Sequence, residues 1–309
     1  MLTAFAMATA AAQTLKDKIA LITGSSSGIG AAIAHELACR GATVVINFPD
    51  DSAADDVKKV LGKLPHERWM AVEADLSTTD GPKMLIDRVI ERYSGIDILV
   101  NNAGRQIAKP FEAHTLEDFE GLMNLNVRGM WLTTQAVLPH LPKKEEGGGG
   151  RIVNTCSAQA RQPLPNQAAY VATKGAIDSL TKAWAKELPQ KVCIVSLLCL
   201  VASFCIISPL CYHFVCHTIF DYTAHVSRQY GCTVNSVAPG ITDTPAVTYF
   251  LNQTPEGAAY KSVIENETPV APRCGQAEEV AWAVAFLCEE RSRWINGEMI
   301  ITSGGMIVD

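Results

Sequence analysis

No excess of basic residues marks this chain: 26 lysines and arginines stand against 32 aspartates and glutamates, a formal net charge of −6. A protein that grips nucleic acid by its phosphates carries the opposite balance, so nucleic acid is not an expected partner. The opening stretch, Met1 to Thr14, has no charge at all. It lacks the basic start of a secretory signal and the arginines of a mitochondrial transit peptide. Residues 1–17 are therefore expected to be a disordered tail, and the protein cytoplasmic. Internal repeats are absent, and nothing marks a second domain. With 48% hydrophobic residues in 309, the chain is neither a disulfide mini-protein nor wholly disordered, and it can fill a core without cross-links.

What is present is an alternation. Apolar runs at Ile19 to Thr23, Thr43 to Ile46, Trp69 to Val72, Ile96 to Val100, Arg151 to Thr155, Thr233 to Val237 and Met299 to Thr302 are separated by helix-length stretches. That pattern predicts an α/β fold: a Rossmann-type, doubly wound parallel sheet of about seven strands in a single domain. The first unit reads strand, Gly/Ser turn, helix from Ile29 to Cys39, strand. The run from Lys143 to Gly150 (KKEEGGGG) reads as a solvated loop, because four glycines cost too much backbone entropy inside an element.

The turn after the first strand is Thr23-Gly24-Ser25-Ser26-Ser27-Gly28-Ile29-Gly30. Glycines let such a turn approach a pyrophosphate, whose charge meets the free N–H groups and the positive dipole end of the next helix. Alone, a glycine turn is a weak signal, and its plainest reading is a strand-to-helix connection. Inside a βαβ unit the nucleotide reading is favoured. The second strand ends Ile46-Asn47-Phe48, without the acidic residue that would hold the ribose hydroxyls of NAD. That absence favours NADP(H) over NAD(H). The turn also lacks the arginine that often meets a 2′-phosphate, and Asp50 and Asp51 would repel that group if they pointed inward.

Tyr170 and Lys174 lie four apart in AAYVATKGAIDSLTKAWAKEL, so a helix places both on one face. A phenol ionises near pH ~10 unaided, and a neighbouring ammonium favours its anion. Ser157 follows the fifth strand, 13 residues before Tyr170. A lone YxxxK pair reads as a half-buried tyrosine beside a solvated lysine. Here it is joined in order by the glycine turn, Asn101-Asn102-Ala103-Gly104, Asn126 in NVRG, Ser157 and Pro239-Gly240.

Together these motifs resemble the short-chain dehydrogenase/reductase family, from Lys18 to about Gly305 apart from one segment. Phrases such as VVINF, GIDILVNNAG and CTVNSVAPG are most similar to its 3-oxoacyl carrier-protein reductase-like and fungal polyketide ketoreductase branches. The resemblance implies an NADP(H)-dependent enzyme moving a hydride between nicotinamide and a carbonyl or secondary alcohol, a ketoreductase of secondary metabolism. It implies that Tyr170 is the general acid, that Lys174 assists it and holds the nicotinamide ribose, that Ser157 hydrogen-bonds the substrate oxygen and that Asn126 fixes a proton-relay water. It further implies a cofactor cleft of Gly24, Ser26, Gly28, Ile29, Gly30, Asn47, Asp75, Leu76, Asn102, Ala103, Gly104, Pro239, Gly240, Thr242 and Thr244, with Tyr170 and Lys174. The expected partners are a small carbonyl or alcohol substrate and further copies of the chain, as homodimer or homotetramer. Ser303 stands where the family often has Asp, before Gly304-Gly305.

One segment departs from this pattern. Val192 to Gln229 carries only two formal charges, Asp221 and Arg228, and half of the ten cysteines: Cys193, Cys199, Cys205, Cys211 and Cys216. Without it, KELPQK would join YGCTVNSVAPG as uninterrupted family sequence. Val192 to Leu210 is uncharged and close to the roughly 20 residues that span a bilayer, so membrane association through 192–210 is one reading. Cys211, His213, Cys216 and His217 match no zinc spacing, and no metal site is expected. The favoured reading is a translated intron, since Val192-Cys193 and Gln229 can be encoded by intron-boundary codons and the segment is a whole number of codons. A nonproductive splice product and a non-catalytic dinucleotide-binding protein are the alternative functions. The substrate is expected to be shaped by the loop after Ser157 and by a lid from Thr244 to about Pro272, where Val247, Tyr249, Phe250 and Leu251 suggest an apolar ligand.

Overall fold

Short β-branched runs between amphipathic helices can bury both of their faces only in a parallel sheet, and that is what the chain builds. The computed structural model describes residues 13–142, 149–188, 231–253 and 255–308. Its main elements in order are β1 (Ile19–Ile22), α1 (Gly28–Cys39), β2 (Thr43–Phe48), α2 (Ala54–Leu61), β3 (Trp69–Glu73), α3 (Gly81–Tyr93), β4 (Ile98–Asn101) and α4 (Leu116–Leu122). There follow α5 (Met130–Val137), β5 (Arg151–Thr155), α6 (Ala168–Glu187), β6 (Thr233–Pro239), β7 (Thr242–Asp243), α7 (Pro245–Gln253), α8 (Pro255–Glu267), β8 (Gly275–Gln276), α9 (Ala277–Cys288) and β9 (Met299–Thr302).

The seven-stranded sheet runs β3-β2-β1-β4-β5-β6-β9, with every neighbouring pair parallel. Two apolar layers cover it. Ile33 and Leu37 of α1, Val57 of α2 and Val280 and Val284 of α9 pack on one face. Leu85 and Val89 of α3, Val137 of α5 and Ile177 and Trp184 of α6 pack on the other. Each such side chain stabilises the fold by about 1.5–3 kcal/mol on burial. The strand order reverses between β1 and β4, and there the diverging loops open a crevice at the carboxyl ends of the strands.

All seven expected strands are present, within two residues at each end. Two findings lay beyond the sequence patterns. Strands β7 and β8 pair as a separate two-residue ladder, too short to show a periodicity. The expected tail boundary at residue 17 also needs correction. Leu15 is 2% exposed within the core layer of α1 and α9. Its N–H donates to Arg40 O at 2.9 Å, and Thr14 Oγ1 donates to Glu289 Oε1 at 2.8 Å. One apolar residue among polar ones gave no pattern to read, yet its burial fastens residues 13–17 to the domain. Residues 1–12 lie outside the described residues.

The segment 192–229, with its membrane, metal and intron readings, also lies outside the described residues. Its described flanks are at the edge of the sheet away from the crevice. Gly231 sits against Gly149, where an added Cβ would stand 1.9 Å from Gly231 O. Asn296 joins the end of α6 to the start of β6, donating to Ala185 O at 2.7 Å and accepting from Val234 N at 2.8 Å. Among the described residues, no helix is long and apolar enough to cross a membrane.

Candidate active site

The turn between β1 and α1 forms one wall of the crevice. Gly24 and Gly28 take φ of +60° and +54°, in the left-handed region that favours glycine. A Cβ on Gly24 would lie 2.8 Å from Ala103 Cα, and one on Gly30 would lie 2.4 Å from Gly24 O and 2.5 Å from Asn102 Nδ2. The turn has room for backbone alone, which is the shape a close-lying phosphate group requires. Helix α1 starts at Gly28 with no acidic residue in its first turn, and its N-cap Ser27 makes no capping hydrogen bond. Its first N–H groups thus present a positive dipole end to the crevice.

Neighbouring strands hold this turn in place. Thr23 Oγ1 accepts from the N–H groups of Asn102 and Ala103 at 2.9 and 3.0 Å. Asn102 Nδ2 donates to Thr23 O and Gly24 O, each at 3.0 Å. Asn47, 2% exposed, accepts from Gly24 N at 3.1 Å and donates to Ala74 O at 3.1 Å. Its amide braces the turn against β2 and β3. Asn47 lines the crevice, but this side chain is committed within the protein and not free to hold a ribose.

The crevice encloses about 1700 Å³ and is lined by Gly24, Gly28, Ile29, Gly30, Asp75, Leu76, Asn102, Ala103, Gly104, Pro239, Gly240, Thr242 and Thr244, as expected. Ser26 is the exception. The turn directs Ser27 into the crevice and leaves Ser26 out of its wall. At the end of β2, Pro49 lines the crevice while Asp50 and Asp51 do not. Asp50 is turned to cap the following turn, accepting from Ser52 Oγ and, at 2.9 Å, from Ser52 N, and these two bonds hold its carboxyl below the usual range. Thr244 reaches the glycine turn from the opposite side, where its Cγ2 would lie 3.3 Å from a Cβ on Gly28.

The reactive side chains stand at the inner end. Ser157 leaves β5 in extended conformation and caps a single 3-10 turn, Ala158–Ala160, its Oγ accepting from Gln159 N at 3.2 Å. Tyr170 and Lys174 project from the first turns of α6. Lys174 is 5% exposed, its Nζ donates to Thr155 O at 2.8 Å and it lies 5.5 Å from the centroid of the Tyr170 ring. Cys156 separates Thr155 from Ser157, and burial pushes its thiol up.

Asn126 lies in a π-helical stretch, Met123–Gly129, between α4 and α5. Such bulges reorient one side chain at a functional site. Its Nδ2 donates to Arg105 O at 2.9 Å and Thr173 Oγ1 at 3.1 Å, and its Oδ1 accepts from Arg105 N at 2.9 Å. The amide is thereby fixed between the loop after β4 and α6, beside Tyr170 and Lys174.

Sequence spacing could not assemble the rest of the crevice wall. Gln159, Gln162, Leu164 and Gln167 line one side, with Val247, Leu251, Val263, Met306 and Ile307 on another. Val247 and Leu251 are lid residues expected there, whereas the side chains of Tyr249 and Phe250 lie outside the description. Ser303 Oγ donates to Ile307 O at 2.9 Å and accepts from Ile307 N at 3.1 Å, holding the C-terminal turn against the opening. The buried Oε1 atoms of Gln159 and Gln167 have no hydrogen-bond partner among the described residues.

Comparison with known proteins agrees with this geometry. Residues 18–202 match the family model for short chain dehydrogenases, and residues 215–307 match that for enoyl-(acyl carrier protein) reductase. A short-chain dehydrogenase/reductase, FrzI, from a Cladobotryum species is 34% identical, over 95% of this chain and 97% of its own length. A hydroxynaphthalene reductase of Aspergillus fumigatus is 31% identical, over 92% and 90%. Among solved structures, a short chain dehydrogenase from Burkholderia cenocepacia in complex with NADP superposes with a TM-score of 0.70 at 32% identity, covering 95% of this chain and 99% of that one.

Proposed function

Because the chain belongs to the short-chain dehydrogenase/reductase family, whose members are NAD(P)-dependent oxidoreductases, we propose that it is an NADP(H)-dependent ketoreductase. The observation that carries this reading is the convergence of Ser157, Tyr170 and buried Lys174 on the inner end of a crevice whose outer end is a side-chain-free turn. The residues fit a dinucleotide: the turn at Gly24 and Gly30 excludes even a methyl group, and the α1 N-terminus meets a pyrophosphate. Asp75 and Leu76 would hold the adenine, and Pro239, Gly240, Thr242 and Thr244, which line the same crevice, would hold the nicotinamide end. When bound, the nicotinamide supplies the hydride.

Each protein group then has a distinct task. Tyr170 holds the proton that the carbonyl oxygen takes up on reduction. Ser157 Oγ donates to that oxygen and fixes the carbonyl in place. Lys174 stabilises the phenolate left behind, whereas the Asn126 amide, outside the crevice wall and spent on Arg105 and Thr173, has no free group with which to hold a relay water. In the oxidation direction the same phenolate accepts the alcohol proton.

Preference for NADPH is supported by the crevice wall at the end of β2, where Pro49 stands and neither Asp50 nor Asp51 does, so that no carboxylate there repels a 2′-phosphate. The complex of the Burkholderia relative with NADP agrees with it. The apolar residues Val247, Leu251, Val263, Met306 and Ile307 of the crevice wall, together with the similarity to a fungal hydroxynaphthalene reductase, support a polyketide-like ketone as substrate, within secondary metabolism. Steady-state rates with NADPH and NADH on a panel of bicyclic and aliphatic ketones test the reading. A higher kcat/KM with NADPH, shifted towards NADH by Phe48→Asp, is expected. Equal or better efficiency with NADH in the unaltered enzyme contradicts the preference.

The enzyme is proposed to act in the cytoplasm as a homodimer or homotetramer. Trp282 and Trp294 are 65% and 95% exposed in the single chain, an apolar surface of the kind that subunit contacts cover. Light scattering that shows only monomer at working concentration overturns that assembly.

A further inference from the structure

The turn that carries Ser157 is short, and its two ends are held by the helix that carries Tyr170 and Lys174. Before Ser157, Lys174 Nζ donates to Thr155 O at 2.8 Å, and Cys156 Sγ donates to Lys174 O at 3.3 Å. After it, the backbone closes one helical turn, with Ala160 N donating to Ser157 O at 2.9 Å and Arg161 N to Ala158 O at 3.0 Å. The next side chain, Arg161, then crosses to α6. Its Nη1 lies 2.7 Å from Asp178 Oδ2, one helical turn beyond Lys174. Asp178 is 7% exposed and also receives Lys182 Nζ at 2.8 Å.

We infer that the Arg161–Asp178 ion pair is a positioning device for the reaction, setting the distance from Ser157 to Tyr170 by tying the far end of the serine turn to the tyrosine helix. This rests on the reading of Ser157 as donor to the substrate oxygen. The physical basis is that Ser157 reaches its position through an extended backbone and a single 3-10 turn, an element with few hydrogen bonds of its own. Such a turn shifts as a unit when one anchor is removed. A displacement of about 1 Å at a reacting group costs up to about 100-fold in rate. A positioning role appears as a loss of turnover that depends on Ser157 being present. Lys182 shares the carboxylate but leads only along α6, so it serves as the control.

The test is a double-mutant cycle of Asp178→Asn with Ser157→Ala, read by reduction of 2-tetralone, by NADPH affinity and by amide hydrogen exchange. Asp178→Asn should lower kcat about tenfold, with NADPH affinity changed less than about twofold, and should speed exchange at Gln159 and Ala160. In the Ser157→Ala background the same substitution should lower kcat less than about twofold, because the group it positions is already gone. Arg161→Lys, which keeps the charge, should retain most of the turnover that Arg161→Met loses, and Lys182→Met should leave turnover unchanged. Equal losses from Asp178→Asn in both backgrounds would overturn the positioning role alone. Full activity of Ser157→Ala would overturn the serine's own role and this inference with it. If 2-tetralone is not reduced, unchanged exchange at Gln159 and Ala160 in Asp178→Asn overturns the inference.

Discussion

The two ends of the crevice are built differently. At the cofactor end the side chains of Thr23, Asn47 and Asn102 are spent inside the protein, each making two or more hydrogen bonds that lock the glycine turn. At the substrate end, Gln159 and Gln167 each keep a buried amide oxygen with no partner among the described residues. The first end is complete before any ligand arrives. The second is furnished with side chains whose partners the protein does not supply. A shared dinucleotide needs one fixed cradle, whereas the carbonyl compound differs from one enzyme to the next.

That contrast can be broken at several points. The largest effect is expected where the two ends meet: Tyr170→Phe should lower kcat by about a thousandfold while leaving NADPH affinity nearly unchanged, because it removes a transferable proton and almost no volume. Stopped-flow turnover beside a fluorescence titration of NADPH separates the two. Next comes the cradle. Gly30→Ala sets a methyl group against backbone that cannot move, and should weaken NADPH binding more than about tenfold and destabilise the fold by about 1–3 kcal/mol. Calorimetric binding and urea unfolding report both.

The same chemical change should then have opposite signs at the two ends. Asn47→Leu leaves Gly24 N–H and Ala74 C=O unpaired, and should cost about 1–3 kcal/mol. Gln167→Leu removes a buried oxygen that has no partner, and should be neutral or stabilise by up to about 1 kcal/mol. Chemical denaturation of the two variants decides it, and destabilisation by both would dissolve the contrast.

The smallest effect lies away from the crevice. Hydrogen bonds from Lys109 to Asp118 and from Arg273 to Glu279 hold those carboxyls down at about 2, against ordinary values of 3.8 and 4.5. A carboxyl depressed on folding adds stability that is complete above its unfolded value and is lost as pH falls through its folded one. Asp118→Asn and Glu279→Gln should therefore lower stability modestly near neutrality, leave it unchanged below about pH 2, and so flatten the fall between about pH 4 and pH 2. Thermal unfolding across that range measures it.

The same division explains what the sequence disclosed. The strands were legible because β-branched runs have a length and a period, and the glycine turn because glycine is favoured at the left-handed angles of Gly24 and Gly28. Ser157, Tyr170 and Lys174 were legible because a strand end and one helix face set their spacing. Whether Ser26 or Ser27 faces the crevice depends on turn geometry that three consecutive serines do not encode. Asn47 was expected as a ligand because its place beside the ribose could be read, whereas its bonds to Gly24 and Ala74 join three strands and could not. Gln159, Met306 and Ile307 line one crevice although more than a hundred residues of sequence separate them, and no local pattern foretells that.

The claim that both ends serve one reaction is tested most directly by following a label. NADPH carrying deuterium at the transferable position of its nicotinamide is incubated with the enzyme and 2-tetralone, and the alcohol is analysed by mass spectrometry and NMR. The account predicts one deuterium on the carbinol carbon, from the unaltered enzyme and not from Tyr170→Phe. Tight binding of NADPH without any labelled alcohol from this or any other ketone tried would contradict it.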